Sequence, residues 1–335
     1  MPYLMLAGFI AIFIVVFSFG LTFVFWKYQT NKDIGNHPSY GGIPIFISFW
    51  LGFFILFPSL LFNSSQWYIF LSSLVILLTG ILDDYYVLKP WQKSVGILIA
   101  ANMVYFLTEV EFSTVFLPAV HPYIFLIMSY LLTITWIYFV TNAVNLMDGI
   151  DGLAGSVTLT SLLILAVTTV LFSSSIRLAF LLMLLFLILS ILGFLPLNWS
   201  PAKIYLGDTG ALFIGFMYAS LSVTNLKNAS FYTMILPIFV YVVPLFDTSY
   251  AIFRRLISGK SIVQKDQDHV HHRLTRLGFS NAKIVILMVG ITIIFAVLAI
   301  AAQQFRTYRL WIMIFTGVTV LILSYGMFNL GRKDK

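Results

Sequence analysis

Asn142, Asn145, Asp148 and Asp151 stand three apart in Thr-Asn-Ala-Val-Asn-Leu-Met-Asp-Gly-Ile-Asp-Gly, residues 141–152. They lie at the edge of a long apolar run, where carboxylates are costly and usually serve a function. Residues three apart are neighbours on a helix, so each successive pair can share a ligand. Across the whole stretch the stripe turns by about half a revolution. Asn142 and Asp151 therefore face apart unless the backbone loosens at Gly149 and Gly152. Helix capping is the plain alternative, but four such groups exceed what a cap needs. Amide and carboxylate oxygens in this pattern suit a hard cation and the phosphate it would hold.

Three further clusters point the same way. Asp83-Asp84 closes an apolar run and is followed by Lys89 and Lys93. Adjacent carboxylates repel unless a cation or proton lies between them, and Mg²⁺ commonly links carboxylate to phosphate. A frayed helix end is the alternative, but a helix dipole disfavours acids there. Asp208 sits in Gly207-Asp208-Thr209-Gly210, where an Asp N-cap is the simplest reading, although the side chain could still offer an oxygen to a metal. The flanking glycines leave backbone open to close approach by a phosphate. The loop 259–280 contains Asp266-Gln267-Asp268-His269-Val270-His271-His272-Arg273. Its histidines lack the spacing of a helical zinc site. Histidine with arginine suits phosphate better, since Arg binds it through two parallel hydrogen bonds. Asp247 lies two helical turns before Arg254, which suits packing or an indirect ion pair.

These clusters need apolar elements to carry them. Of 335 residues, 60% are hydrophobic and 9% charged, with a mean hydropathy of +0.99. Soluble proteins carry about 25% charged residues, so lipid is the solvent for most of this chain. It has no cysteine, which excludes disulfides and thiolate metal sites. The net charge of +7 is what basic residues flanking membrane spans would give, without nucleic acid as a partner. Apolar runs predict an all-α polytopic membrane protein of about eleven spans. They centre on residues 3–26, 43–62, 66–82, 94–108, 122–141, 155–172, 177–195, 210–224, 231–253, 282–302 and 310–330. The first run has no charged leader region and reads as a retained span. Residues 1–335 form a single domain, with loops 27–42, 83–93, 142–154, 196–209 and 254–281 on one side. Placing the N-terminus outside and the C-terminus inside puts 15 of the 19 Lys and Arg in the cytoplasm, as the positive-inside bias requires. All ten Asp then fall on the cytoplasmic side, with Glu109 and Glu111 outside. Acids follow no orientation rule of their own, so this sorting marks a site on one face.

Taken in order, the motifs resemble those of the polyprenyl-phosphate N-acetylhexosamine-1-phosphate transferases. The series runs from Pro38-Ser39-Tyr40-Gly41-Gly42 through Asp83-Asp84 and Asn142-x-x-Asn145-x-x-Asp148-Gly-x-Asp151-Gly. It continues with Gly207-Asp208-Thr209-Gly210 and ends at His269-x-His271-His272-Arg273. The final motif resembles the branch that uses UDP-N-acetylglucosamine or a similar UDP-sugar. Three consecutive histidines, usual in the pentapeptide-precursor branch, do not occur.

The resemblance implies transfer of a sugar-1-phosphate from a UDP-sugar to polyprenyl (undecaprenyl) phosphate, releasing UMP. Such a reaction starts cell-envelope polymers such as teichoic acid or O-antigen at the inner (plasma) membrane. It implies Mg²⁺, with Mn²⁺ able to replace it, held by Asp208 and Asn145. It places Asp148 and Asp151 near nucleotide and metal, Asp151 toward the uracil, with Asn142 among the substrate-binding residues. Lys93, His269, His271, His272 and Arg273 are placed near the diphosphate and sugar. Asp83 and Asp84 are placed toward the lipid phosphate, with Asp83 as the preferred base. A homodimer occurs among relatives. A secondary transporter is the competing class, but its site would lie near the bilayer midplane, often between inverted repeats.

Overall fold

The computed structural model describes residues 2–31, 39–58, 64–108, 110–112, 121–172, 178–226, 241, 245, 248, 249, 255, 270–305 and 307–330. Among the described residues every regular element is a helix. In chain order these are α1 (Pro2–Asn31), α2 (Gly42–Leu56), α3 (Ser65–Tyr86), α4 (Pro90–Leu107), α5 (Pro122–Met147) and α6 (Leu153–Phe172). There follow α7 (Leu178–Asn198), α8 (Gly207–Leu226), α9 (Val270–Arg276), α10 (Asn281–Gln304) and α11 (Arg309–Leu330).

Ten of the eleven apolar runs read from the sequence coincide with helices; the ninth, 231–253, lies outside the described residues apart from isolated positions. Six helices hold a stretch long and apolar enough to cross a bilayer: Gly8–Thr30 in α1, Ser65–Tyr86, Tyr123–Met147, Leu153–Phe172, Leu178–Asn198 and Asn281–Gln304. Gly42–Leu56 and Arg309–Ile322 are shorter apolar helices. The second apolar run extends to residue 62, but α2 stops at Leu56. Phe57 precedes Pro58, and a residue before proline is pushed out of the helical region. A short helix, α9, also stands inside the last loop, where the apolar pattern predicts none.

Local chemistry sets the helix ends. The Ser64 side chain accepts from the Trp67 amide and starts α3, as an N-cap should. α4 starts with Pro90, whose missing N–H costs nothing at a first helical position. There the Lys89 amide donates to Gln92 Oε1 at 2.8 Å. Between α3 and α4, Val87 takes a left-handed φ of 51°, which costs a β-branched residue about 1–3 kcal/mol. Asp83 holds this corner twice: its carbonyl accepts from the Val87 amide at 2.9 Å and its Oδ1 from the Leu88 amide at 2.8 Å.

The centre of the bundle is α8. From Thr209 to Val223 every residue is buried, including Phe213, Phe216, Tyr218, Ser220 and Ser222. A helix apolar all round belongs inside a protein or membrane, and α8 packs on α2, α3, α5, α6 and α7. Polar pins join the helices within this apolar mass. Trp136 Nε1 on α5 donates to Ser222 Oγ on α8 at 3.0 Å, and Trp50 Nε1 on α2 donates to Ser73 Oγ on α3 at 3.0 Å. Such bonds between membrane helices contribute on the order of 1 kcal/mol each.

Candidate active site

Six ends meet at one end of the bundle: the C-termini of α3 and α5 and the N-termini of α2, α4, α6 and α8. The N-terminus of α8 leaves amides without intrahelical partners and carries a partial positive charge. Asp84, from α3, satisfies them. Its Oδ1 accepts from the Asp208 amide at 2.9 Å, and its Oδ2 accepts from the Thr209 amide at 3.0 Å and the Thr209 hydroxyl at 2.5 Å. The cap read from the sequence at Asp208 is thus supplied from another helix. Asp208 itself, in the first turn of α8, is left to face the cluster.

That cluster is built around Lys93 of α4. Its Nζ forms an ion pair with Asp83 Oδ2, a second with Asp208 Oδ1 at 2.7 Å, and a hydrogen bond to Asn145 Oδ1 at 3.3 Å. Asn145 Nδ2 in turn donates to Asp208 Oδ1. Asp83, Lys93, Asn145 and Asp208, from four helices and up to 125 residues apart in the chain, therefore share one network. Asp148 caps the end of α5, its amide donating to the Asn145 carbonyl at 3.3 Å. Burial raises its carboxyl well above the usual carboxylate range, and the charges of Asp208, Asp84 and Asp151 raise it further. Five aspartates, Asp83, Asp84, Asp148, Asp151 and Asp208, thus lie about this end with one ammonium among them, an arrangement that favours a further cation.

The donor set fits that demand. The position filled by the Lys93 ammonium is lined by carboxylate and amide oxygens, the ligands of a hard divalent ion such as Mg²⁺. Among the described residues no three Asp, Glu or His side chains converge at ligand spacing. An ion here would take Asp208 and Asn145 and draw its other ligands from water or phosphate, as Mg²⁺ usually does.

The Asn-Asp stripe divides rather than sharing one ligand. α5 ends at Met147 and α6 starts at Leu153, with Gly152 at φ +74°, so the backbone loosens where the glycines allow. Asn142 Nδ2 donates back to the Tyr138 carbonyl at 2.8 Å. Asp151 Oδ2 accepts from the Ala202 amide at 3.2 Å and ties this turn to the loop before α8. Asn145 alone of the four reaches Asp208.

The glycines correct another expectation. Gly207 has φ +71°, and a Cβ there would lie 1.9 Å from the Ser39 carbonyl oxygen. At Gly42 a Cβ would lie 2.3 Å from the Gly210 amide. Gly41 and Gly42 donate to the Tyr205 and Leu206 carbonyls at 3.0 and 3.2 Å. The space these glycines open is filled by protein backbone, so their use is to seat α2 against the start of α8. Thr209 was missed as a site residue. Its signal was present, since a Thr in the first turn of a helix has a hydroxyl free to pair with an acid.

His272 and Arg273 lie on α9, which packs on the core through Val270 and Leu274. Arg273 is buried and His272 half-buried. His271 is placed on α9, while His269 and Asp247 lie outside the described residues.

Comparison with known proteins gives this geometry a family. Residues 66–225 match glycosyl transferase family 4. A probable undecaprenyl-phosphate N-acetylglucosaminyl 1-phosphate transferase of Bacillus subtilis (strain 168) is 35% identical over 292 residues, 85% of this chain and 78% of the relative. The chain belongs to glycosyl transferase family 4. Two further relatives match at lower identity. A decaprenyl-phosphate N-acetylglucosaminephosphotransferase of Mycobacterium leprae is 28% identical, over 85% of this chain and 80% of the relative. A phospho-N-acetylmuramoyl-pentapeptide-transferase of Caldicellulosiruptor bescii is 29% identical, over 90% and 98%. The resemblance read from the motifs therefore holds at the level of the family, and the protein is a membrane transferase of the class its relatives form. The family match spans Asp83-Asp84, Lys93, Asn142 to Asp151 and Asp208; Pro38 to Gly42 precede it and His269 to Arg273 follow it.

Proposed function

We propose that this protein transfers a sugar-1-phosphate, GlcNAc-1-phosphate first among the candidates, from a UDP-sugar to polyprenyl phosphate at the cytoplasmic face of the plasma membrane. UMP leaves, and the lipid-linked product starts a cell-envelope polysaccharide such as teichoic acid or O-antigen. The observation that carries this reading is the convergence of Asp83, Lys93, Asn145 and Asp208 at one end of the bundle. The names of the B. subtilis and M. leprae relatives support it. A soluble diphosphate and a lipid phosphate can meet only where the bundle opens to both water and bilayer.

Phosphoryl transfer needs positioning and charge compensation more than covalent chemistry from the protein. When bound, Mg²⁺ would offset the repulsion between two phosphates and polarise the one under attack. Asp208 and Asn145 are the proposed holders, kept in place by the Asp84 cap and the α5–α8 contact. In the proposed step an oxygen of the lipid phosphate bonds to the phosphorus that carries the sugar, and the bond from that phosphorus to UMP breaks. A phosphate monoester is largely dianionic at pH 7, its second pKa being about 6. Asp83 therefore need only take a residual proton and orient the lipid phosphate. Both Asp84 oxygens are committed to α8, so its part is positioning. His269, His271, His272 and Arg273 are assigned to the diphosphate and sugar, and Asp151 to the nucleotide. With the N-terminus outside, this end of the bundle faces the cytoplasm.

A transporter would put its acids near the midplane; here the charged cluster lies at helix ends. The test is release of UMP by purified protein given UDP-N-acetylglucosamine, polyprenyl phosphate and Mg²⁺. Activity should vanish in EDTA and return with Mg²⁺. Asp208→Ala should abolish turnover while leaving membrane insertion intact. Absence of UMP with every UDP-sugar offered would favour transport.

A further inference from the structure

Lys93 donates to three oxygens at once: Asp83 Oδ2, Asp208 Oδ1 at 2.7 Å and Asn145 Oδ1 at 3.3 Å. An ammonium has three hydrogens, so none remains for a phosphate. Two of these oxygens, on Asp208 and Asn145, are the ones a divalent ion would use at this site. Two cations cannot share that cage, and Lys93 can contact a phosphate only after leaving it.

We propose that Lys93 is a resident counter-ion that a divalent cation displaces, and that this displacement turns its ammonium toward the donor's diphosphate. The inference rests on the metal-dependent reading above. Charge favours the exchange: one ammonium offsets one of the two carboxylates it touches, whereas a divalent ion offsets both. The geometry allows it without helix movement. Lys93 stands in the first turn of α4, and its four-carbon stem lets the charge swing. Next to it, Ser94 Oγ lies 2.8 Å from Tyr138 OH of α5, which pins the helix itself. Metal would then bind before nucleotide, because a diphosphate entering the metal-free site finds this ammonium already taken.

The test uses full-length protein in detergent with Mn²⁺ alone and no nucleotide. Amine acetylation is followed by mass spectrometry, with exposed Lys89 as internal reference, and Mn²⁺ affinity is read by EPR. In metal-free protein the Lys93 side chain is 18% exposed and bonded on three sides, so it should label poorly. Saturating Mn²⁺ should raise its labelling relative to Lys89 by about tenfold, and Lys93→Gln should tighten Mn²⁺ binding by about tenfold, as removal of a competing charge at this range implies. Mn²⁺ binding with unchanged Lys93 labelling would overturn the displacement and leave the metal-dependent reading standing. Failure of wild-type protein to bind Mn²⁺, or binding unaffected by Asp208→Ala, would overturn both. Should Lys93→Gln not fold, labelling of the wild-type chain decides alone.

Discussion

Asp83 and Asp84 are adjacent in sequence yet face different tasks. Asp84 spends both oxygens on the amides of α8 and on Thr209. Asp83 meets Lys93 with one oxygen and the Leu88 amide with the other. Two consequences can be measured. Asp84→Ala should lower stability by about 0.5–2 kcal/mol, the usual cost of losing a cap, seen as a reduced melting temperature in detergent, with Asp84→Asn in between. It should also cut activity, because Asp208 sits in the turn that Asp84 holds. Asp83→Asn should lower kcat more than it weakens nucleotide binding; an unchanged kcat would remove Asp83 from the reaction. Thr209→Val keeps the amide bond to Asp84 and loses the hydroxyl, so its loss of stability should be smaller than that of Asp84→Ala.

Among the elements, the contact between α2 and α8 depends on two glycines lying backbone to backbone. Gly42→Val would drive a side chain into Gly210, where backbone has no rotamer to change. Overpacking of this kind costs about 1–3 kcal/mol, and here it would also shift the turn that carries Asp208. Gly317→Val, in open space on α11, should leave melting temperature and UMP release unchanged. The sequence made the helices legible because apolar length alone defines a span, and it made Asp208 and Asn145 legible because isolated polar groups in such a chain stand out. It did not reveal that Asp84 caps α8, since the two lie 124 residues apart and no local pattern encodes that pairing. For the same reason Gly207 and Gly210 read as phosphate-approach glycines. Backbone permissiveness is visible in a sequence, but what comes to fill the space is not. The α2 boundary at Phe57 could have been read from Pro58.

For the whole molecule, sidedness is open to direct measurement because the chain has no cysteine. Tyr85 and Tyr123 are exposed at opposite ends of the bundle. A membrane-impermeant maleimide should label Tyr123→Cys in intact cells and Tyr85→Cys only in inverted vesicles. The reverse pattern would place the carboxylate cluster outside and exclude a cytoplasmic UDP-sugar as its substrate. The central place of α8 has one more result. Its main partners, α2, α3, α5, α6 and α7, all precede it in the chain, so during synthesis they enter the bilayer before it does. They must wait around an unfilled socket until α8 arrives and brings Asp208 with it. A nascent chain halted before Gly207 should therefore expose this socket to proteases and chaperones, so the catalytic end would be completed only late in biogenesis.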